Sequence, residues 1–244
     1  MTQSSQLAPT ADGGRAPASA TPTTATQDRQ SLHTRLLVGA AQLGVRLDAA
    51  TLARLDTYLA LLQQWGRKIN LTAIPLDDVE RIATLHFLDS LACVAQIPPL
   101  ASLPQPTLID VGSGAGFPGV LCALIRPELR VTLVERVGKK AAFLLTLRRE
   151  LGVQYDVESC DAERLIPARA AEGFGVAVSR AALPPPRWLE LGSRLVAPSG
   201  YVLAMVSEGE PVPHADGCDF LGQQSYELGV GVRHILSWQR RIAR

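Results

Sequence analysis

Leu52, Leu55, Leu59 and Leu62 recur at i, i+3, i+7 and i+10, the stripe of an amphipathic helix. Asp48 stands where that helix begins, and its carboxylate can accept from the first unpaired amides. Leu32, Leu36, Leu37 and Leu43 predict a shorter helix before it. Asp77 and Asp78 can open a third, carried on by Ile82, Leu85, Leu88 and Leu91. Three helices with no strand among them make a small helical segment. Pro98-Pro99 and Pro104-x-Pro106 then break the pattern.

From Thr107 onward short apolar runs alternate with helical periodicity. Strands are expected at 108–111, 131–134, 153–157, 174–178 and 201–206. Helices are expected between them at 120–125, 139–151 and 187–195. This alternation predicts an α/β fold with a mostly parallel sheet covered on both faces. Two last strands, at 218–226 and 233–238, have no helix between them and predict an antiparallel hairpin at the sheet edge. The first 30 residues are different in kind. Twenty-four of them are Ala, Thr, Ser, Gln, Pro or Gly, too little apolar surface to offset the entropy of ordering. The expected organisation is a disordered tail over 1–30, a helical subdomain and linker over 31–106, and the sheet domain over 107–244.

Composition narrows the function. The chain has 244 residues and a formal net charge of +1, so a nucleic acid would have to be met by a local patch, not by bulk charge. No apolar run approaches the roughly 18–20 residues of a membrane span, so no membrane partner is expected. Cys93, Cys122, Cys160 and Cys218 are widely spaced and form neither a zinc signature nor a disulfide framework. With no charged leader before an apolar stretch, the expectation is a cytoplasmic protein without a bound metal.

The most informative stretch is Leu108-Ile-Asp-Val-Gly112-Ser-Gly114-Ala-Gly116-Phe-Pro-Gly119, placed where a strand hands over to a helix. Glycines at alternate positions let the backbone turn tightly and let a ligand approach it. The next helix aims its unpaired amides into the same space. Glu135 ends the following strand, where a carboxylate suits the two hydroxyls of a ribose. Gly114, Gly116 and Gly119 satisfy the dinucleotide pattern, while Gly112, Gly114 and Gly116 satisfy the spacing expected for S-adenosylmethionine. A nicotinamide-dependent oxidoreductase and a methyltransferase both fit. Asp110 favours the second, since a carboxylate near the helix mouth repels pyrophosphate and suits a cationic methionyl group.

These residues resemble the bacterial RsmG family, also called GidB. Its members transfer methyl groups from S-adenosylmethionine to guanine N7 in 16S ribosomal RNA. The resemblance rests on Asn70-Leu-Thr72, His86-Phe-Leu-Asp-Ser90, the glycine loop, Glu135-Arg-Val-Gly-Lys-Lys-Ala-Ala-Phe-Leu144, Ser179-Arg-Ala181 and Arg233-His-Ile235. It implies a seven-stranded, Rossmann-like class I methyltransferase sheet beneath the helical segment. It implies cofactor contacts in the loop that contains Asp110, Gly112, Ser113, Gly114, Gly116 and Phe117, and at Glu135. Ala162 and Glu163 then line the adenine, and Arg180 reaches the methionyl end. The partner it implies is 16S rRNA or the small ribosomal subunit, met by a monomer. The family usually reads Leu-Lys-Gly after its fifth strand; here Leu203-Ala-Met-Val-Ser207 puts Val206 in the lysine's place. A non-catalytic rRNA-binding relative is the reading that this departure leaves open.

Guanine N7 has a lone pair and no proton, so its methylation needs positioning and electrostatics but no base. The chain fits by omission. It has no Asn/Asp-Pro-Pro-aromatic stretch, and Pro184-Pro-Pro186 reads as a helix start. Arg180, His86 and Asp89 are the candidate catalytic residues. His86, Asp89 and Ser90 share one helix face, either toward the transfer pocket or as a buried cluster joining helices to sheet. Between Arg126 and Arg149, seven Lys and Arg stand against two Glu. Arg136, Lys139 and Lys140 from that stretch, with Arg233, are the candidate RNA contacts.

Overall fold

A computed structural model describes residues 24–167, 172–229 and 231–242. Helix α1 (Thr24–Gln42) opens inside the segment expected as tail, and it is slightly longer than α2 (Ala49–Gly66), not shorter. The rest of the expected tail, 1–23, lies outside the described residues. In α2 the four stripe leucines are all buried, and the Asp48 carboxylate accepts from the Thr51 amide at 2.7 Å. Asp78 caps the third helix in the same way, through the Arg81 amide. That helix is a composite. A turn α3 (Val79–Ile82) passes into a π-helical stretch (Ala83–Leu88) and then into α4 (Asp89–Gln96). Periodicity shows no trace of the π register.

Seven strands form one sheet in the order β3-β2-β1-β4-β5-β7-β6. They are β1 (Thr107–Val111), β2 (Arg130–Val134), β3 (Asp156–Glu158), β4 (Phe174–Arg180), β5 (Val196–Ser207), β6 (Cys218–Glu227) and β7 (Val232–Arg240). The first five are parallel; β7 runs antiparallel to β5, with β6 outside it. Strand β3 is shorter and later than expected. Val153 and Tyr155 serve the end of α6 (Gly138–Leu151) instead of the ladder: the Val153 amide donates to Arg148 O, and the Tyr155 hydroxyl donates to Leu144 O.

Both faces of the central strands β1, β4 and β5 are buried, as their continuous apolar runs require. Leu108, Val176 and Leu203 pack with α1, α2, α4, α5 (Gly119–Ile125) and α6 in one core. Ile109, Ala177 and Val202 face the other side, against Trp188, Leu189 and Leu195 of α7 (Pro185–Leu195). The helical segment therefore shares a hydrophobic core with the sheet. Because β1 lies between β2 and β4, the connections leave it in opposite directions. A cleft opens at the carboxyl ends of β1 and β4, the usual place for a ligand in such sheets.

Candidate functional site

Two cavities meet at that cleft. The larger, about 480 Å³, is lined by Gly112 and Gly114 after β1, Glu135 after β2, Ala162 and Glu163 in a short 3₁₀ turn, and Arg180 at the end of β4. Apolar walls come from Val134, Leu183 and Leu191. The second, about 380 Å³, lies beyond Arg180, Ala181, Ala182 and Leu183, which belong to both.

The glycine loop is folded tightly from within. Gly112 has φ +73°, and a Cβ there would lie 2.4 Å from the Ala182 Cβ. Gly116 has φ +97°, and a Cβ would lie 2.6 Å from the Tyr58 hydroxyl, which donates to Ala115 O at 2.6 Å. Any other residue at either position would push the loop off its neighbours. Glu135, 6% exposed, holds the loop from the opposite side. Its carboxylate accepts from the Gly114 amide at 2.9 Å and from the Val137 amide at 2.8 Å.

Four residues expected at the cofactor lie behind the cleft wall. The Asp110 side chain is wholly buried; its Oδ2 accepts from the Gly119 amide at 2.9 Å, at the start of α5. Burial pushes this carboxyl up to about 6. Its Oδ1 has no hydrogen-bond partner among the described residues. The Ser113 hydroxyl donates back to Asp110 O. Gly116 packs on Tyr58. Phe117 is buried between Tyr58 and His86, stacked at centroid distances of 4.8 and 4.7 Å, with Phe87 meeting it edge-on. This ring stack couples the helical segment to the glycine loop.

Arg180 is the residue on which the site converges. Its Nη1 donates to Leu85 O at 3.0 Å and to Asp89 Oδ2 at 3.1 Å; its Nη2 donates to His86 Nδ1 at 3.2 Å. The guanidinium carbon lies 5.3 Å from the Phe117 ring centre. Leu85 and His86 belong to the π-helical stretch, and such segments frequently occur at functional sites. Asp89 is buried completely and also accepts from the Tyr226 hydroxyl at 2.8 Å, with Arg233 at 3.7 Å. Buried Asp89 and half-buried His86 therefore form a cluster that fixes Arg180; neither lines the two cavities at the cleft.

The His86 tautomer follows from its partners. Arg180 donates to Nδ1, so the ring proton sits on Nε2 and donates to Thr72 Oγ1 at 2.7 Å. Burial first, and the adjoining Arg180 charge next, push His86 from 6.5 down to about 3. Between those values the unfolded chain binds a proton that the folded one refuses. The stability that His86 contributes is full above pH 6.5 and is lost as pH falls toward 3. His86→Gln is expected to flatten this part of a denaturation-against-pH curve. An unchanged curve would show that His86 is not held neutral.

The basic stretch divides. Arg126 is tied to Glu128 and to the carbonyls of Ile97 and Pro98, and Arg148 to Tyr155 O. Arg136, Lys139 and Lys140 form no ion pair among the described residues, and Arg136 and Lys140 reach the cleft mouth. Arg233 sits apart from them, on the second cavity.

The family described as rRNA small subunit methyltransferase G matches residues 51–228. The chain belongs to this family. The "Ribosomal RNA small subunit methyltransferase G" of Anaeromyxobacter dehalogenans is 36% identical over 219 residues, 86% of this chain and 99% of that protein. The protein of the same name from Myxococcus xanthus is 38% identical over 197 residues, 78% of this chain and 83% of that one. Among solved structures, cofactor-bound Rv0187 from MTB aligns with a TM-score of 0.54 at 14% identity, over 78% of this chain and 91% of that one. A mutant of MtNAS in complex with S-adenosylmethionine aligns with a TM-score of 0.52 at 15% identity, over 90% of this chain and all of that one. At these identities the structures establish the fold alone. The rRNA small subunit methyltransferase G match includes the whole glycine loop, Glu135, Ser179-Arg-Ala181 and Tyr226, but ends before Arg233.

Sequence reasoning missed Tyr58, Thr72 and Tyr226. Tyr58 carries a signal, a polar tip inside the α2 stripe. Thr72 lies within a stretch that carried the resemblance. Tyr226 carries no signal, because its link to Asp89 spans 137 residues.

Proposed function

We propose that the chain transfers a methyl group from S-adenosylmethionine to N7 of a guanine in 16S ribosomal RNA. The observation that carries this is the convergence of the glycine loop, the Glu135 carboxylate and a fixed Arg180 on one cleft. The residues fit the donor. Val134, Ala162, Leu183 and Leu191 give apolar surface for an adenine, and Glu163 stands beside Ala162 at that wall. Glu135 can accept from ribose hydroxyls, and Gly112 and Gly114 let the ligand approach the backbone. Three of Arg180's five N–H donors are engaged by protein acceptors, which leaves one edge for the methionyl carboxylate. S-adenosylmethionine supplies an electrophilic methyl on a positively charged sulfur. The protein's part is to align the guanine with it and to keep water away. Asp110, Ser113, Gly116 and Phe117 support the loop from behind, and His86 and Asp89 position Arg180.

The substrate is 16S rRNA or the small subunit that contains it, met by a cytoplasmic monomer. Among the described residues no helix is long and apolar enough to cross a membrane. We divide the chain into a helical part through 106 and the donor-binding sheet from 107, joined by one core.

Calorimetry tests the donor. The full chain is expected to bind S-adenosylhomocysteine and to ignore NADH; the reverse result would favour the oxidoreductase. Glu135→Ala is expected to weaken that binding by about 1–3 kcal/mol, through lost ribose contacts and two orphaned amides. Equal affinity would remove Glu135 from the site. The RNA side is tested by salt. Lys139→Ala with Lys140→Ala is expected to lower the salt slope of 16S rRNA binding by about 1–2. Lys139→Ala alone separates the phosphate effect from Lys140's place at the cleft. An unchanged slope would take both lysines out of the interface.

A further inference from the structure

We propose that the second cavity seats the target guanine, with Glu210 accepting from its N1–H and N2 amine and Arg233 donating to its O6. This deepens the methyl-transfer reading above and rests on it.

Position comes first. The second cavity shares the wall-lining residues 180–183 with the donor cleft, so the two adjoin. At that wall Ala181 has φ +53°, a strained conformation for a residue with a Cβ, of the kind that collects at ligand-handling sites. Leu183, Pro184, Met205 and Val206 supply apolar surface for the face of a flat base beside the cavity's polar groups. The charged groups on the cavity are Arg180, Arg233 and Glu210, with Ser207 paired to Arg233 across the strands and three residues before Glu210.

Strand register then orders those groups. Arg180 pairs with Met205 across β4 and β5, and Arg233 pairs with Ser207 across β5 and β7. Glu210 follows Ser207 by three residues. Moving outward from the shared wall, the cavity presents Arg180, then Arg233, then Glu210. The edge of guanine presents N7, then O6, then N1–H and the N2 amine. Overlaid, N7 faces the donor cleft, O6 meets a guanidinium, and two adjacent donors meet a carboxylate. Of the four bases guanine alone offers two adjacent donors on that edge; adenine puts an acceptor at N1.

The availability of each group agrees with this role. Three Arg180 donors are directed at Leu85 O, Asp89 and His86, and the remaining edge is the one that the donor's carboxylate takes, so they do not compete for the N7 lone pair. Arg233 is 31% exposed and forms an ion pair with Asp89 at 3.7 Å, beyond hydrogen-bond distance, so among the described residues no hydrogen bond occupies its donors. Glu210 is exposed at the turn after β5. With valine at 206 where the family usually has lysine, Arg180 and Arg233 are the cations of this cavity.

The test uses the full chain and small subunits whose 16S rRNA is assembled by splinted ligation. The methylated guanosine is first mapped by mass and then replaced with inosine, which lacks the N2 amine and keeps O6 and N7. The wild-type chain is expected to methylate guanosine about tenfold or more faster than inosine, measured as kcat/KM. Glu210→Ala is expected to lose a similar factor on guanosine and to bring the ratio of the two substrates near one. Arg233→Gln is expected to slow both substrates alike, since both retain O6. Unchanged S-adenosylhomocysteine binding shows that each variant is folded. A guanosine-to-inosine ratio in Glu210→Ala equal to that of the wild type would overturn the proposal and leave the methyl-transfer reading standing. No transfer to guanosine by the wild-type chain would overturn that reading itself.

Discussion

Arg180→Ala is expected to slow methyl transfer about 100- to 1000-fold, the cost of removing one fixed charge from a water-poor site. Three acceptors at 3.0–3.2 Å set the guanidinium plane, and the residue lies on the wall common to both cavities. S-adenosylhomocysteine affinity should fall by less than the rate, because Glu135 and the glycine loop remain. Arg180→Lys should not restore the rate. An ammonium cannot reach Leu85 O, Asp89 and His86 together in the plane that the fork now occupies. Single-turnover kinetics decide: a rate within a few-fold of the wild type would show that Arg180 serves only the fold.

Asp89→Ala should be the most destabilising single change in the site, at about 3–5 kcal/mol. The carboxylate is fully buried and answers Arg180, the Tyr226 hydroxyl and, more distantly, Arg233. Its removal leaves a guanidinium and a phenol in an apolar setting without their acceptor. Against a typical stability of about 5–15 kcal/mol, that loss is large. Denaturant titration of the single and double variants separates the terms. Asp89→Ala combined with Arg180→Met should cost less than the sum of the two, because the stranded charge is gone. Additive losses would mean that the pair does not interact in solution. Tyr226→Phe should lower stability modestly, by about 1 kcal/mol, for one lost hydrogen bond.

The sequence made the scaffold legible where a local rule decides the outcome. The α2 stripe, its Asp48 cap, the glycine loop and the Glu135 position all follow from spacing within a few residues. The parallel sheet follows from alternation, and its antiparallel edge from a missing helix. What could not be read depends on distant partners. The π register at Ala83–Leu88 has no periodic signature, yet it brings Leu85 O and His86 to Arg180. Asp110 reads as a ligand-facing acid because it precedes the glycines; its side chain instead turns inward to the Gly119 amide. Arg233 reads as an RNA contact, and strand pairing places it on a cavity. The same pairing brings Tyr226 to Asp89, which no pattern along the chain could indicate.

The most direct measurement is transfer of labelled methyl from S-adenosylmethionine to small ribosomal subunits that lack the modification, beside naked 16S rRNA, with nucleosides identified by mass. The expected result is label in 7-methylguanosine at one position with the wild-type chain, and at least a hundredfold less with Arg180→Ala. Label in any other nucleoside, or none while S-adenosylhomocysteine still binds, would contradict the account.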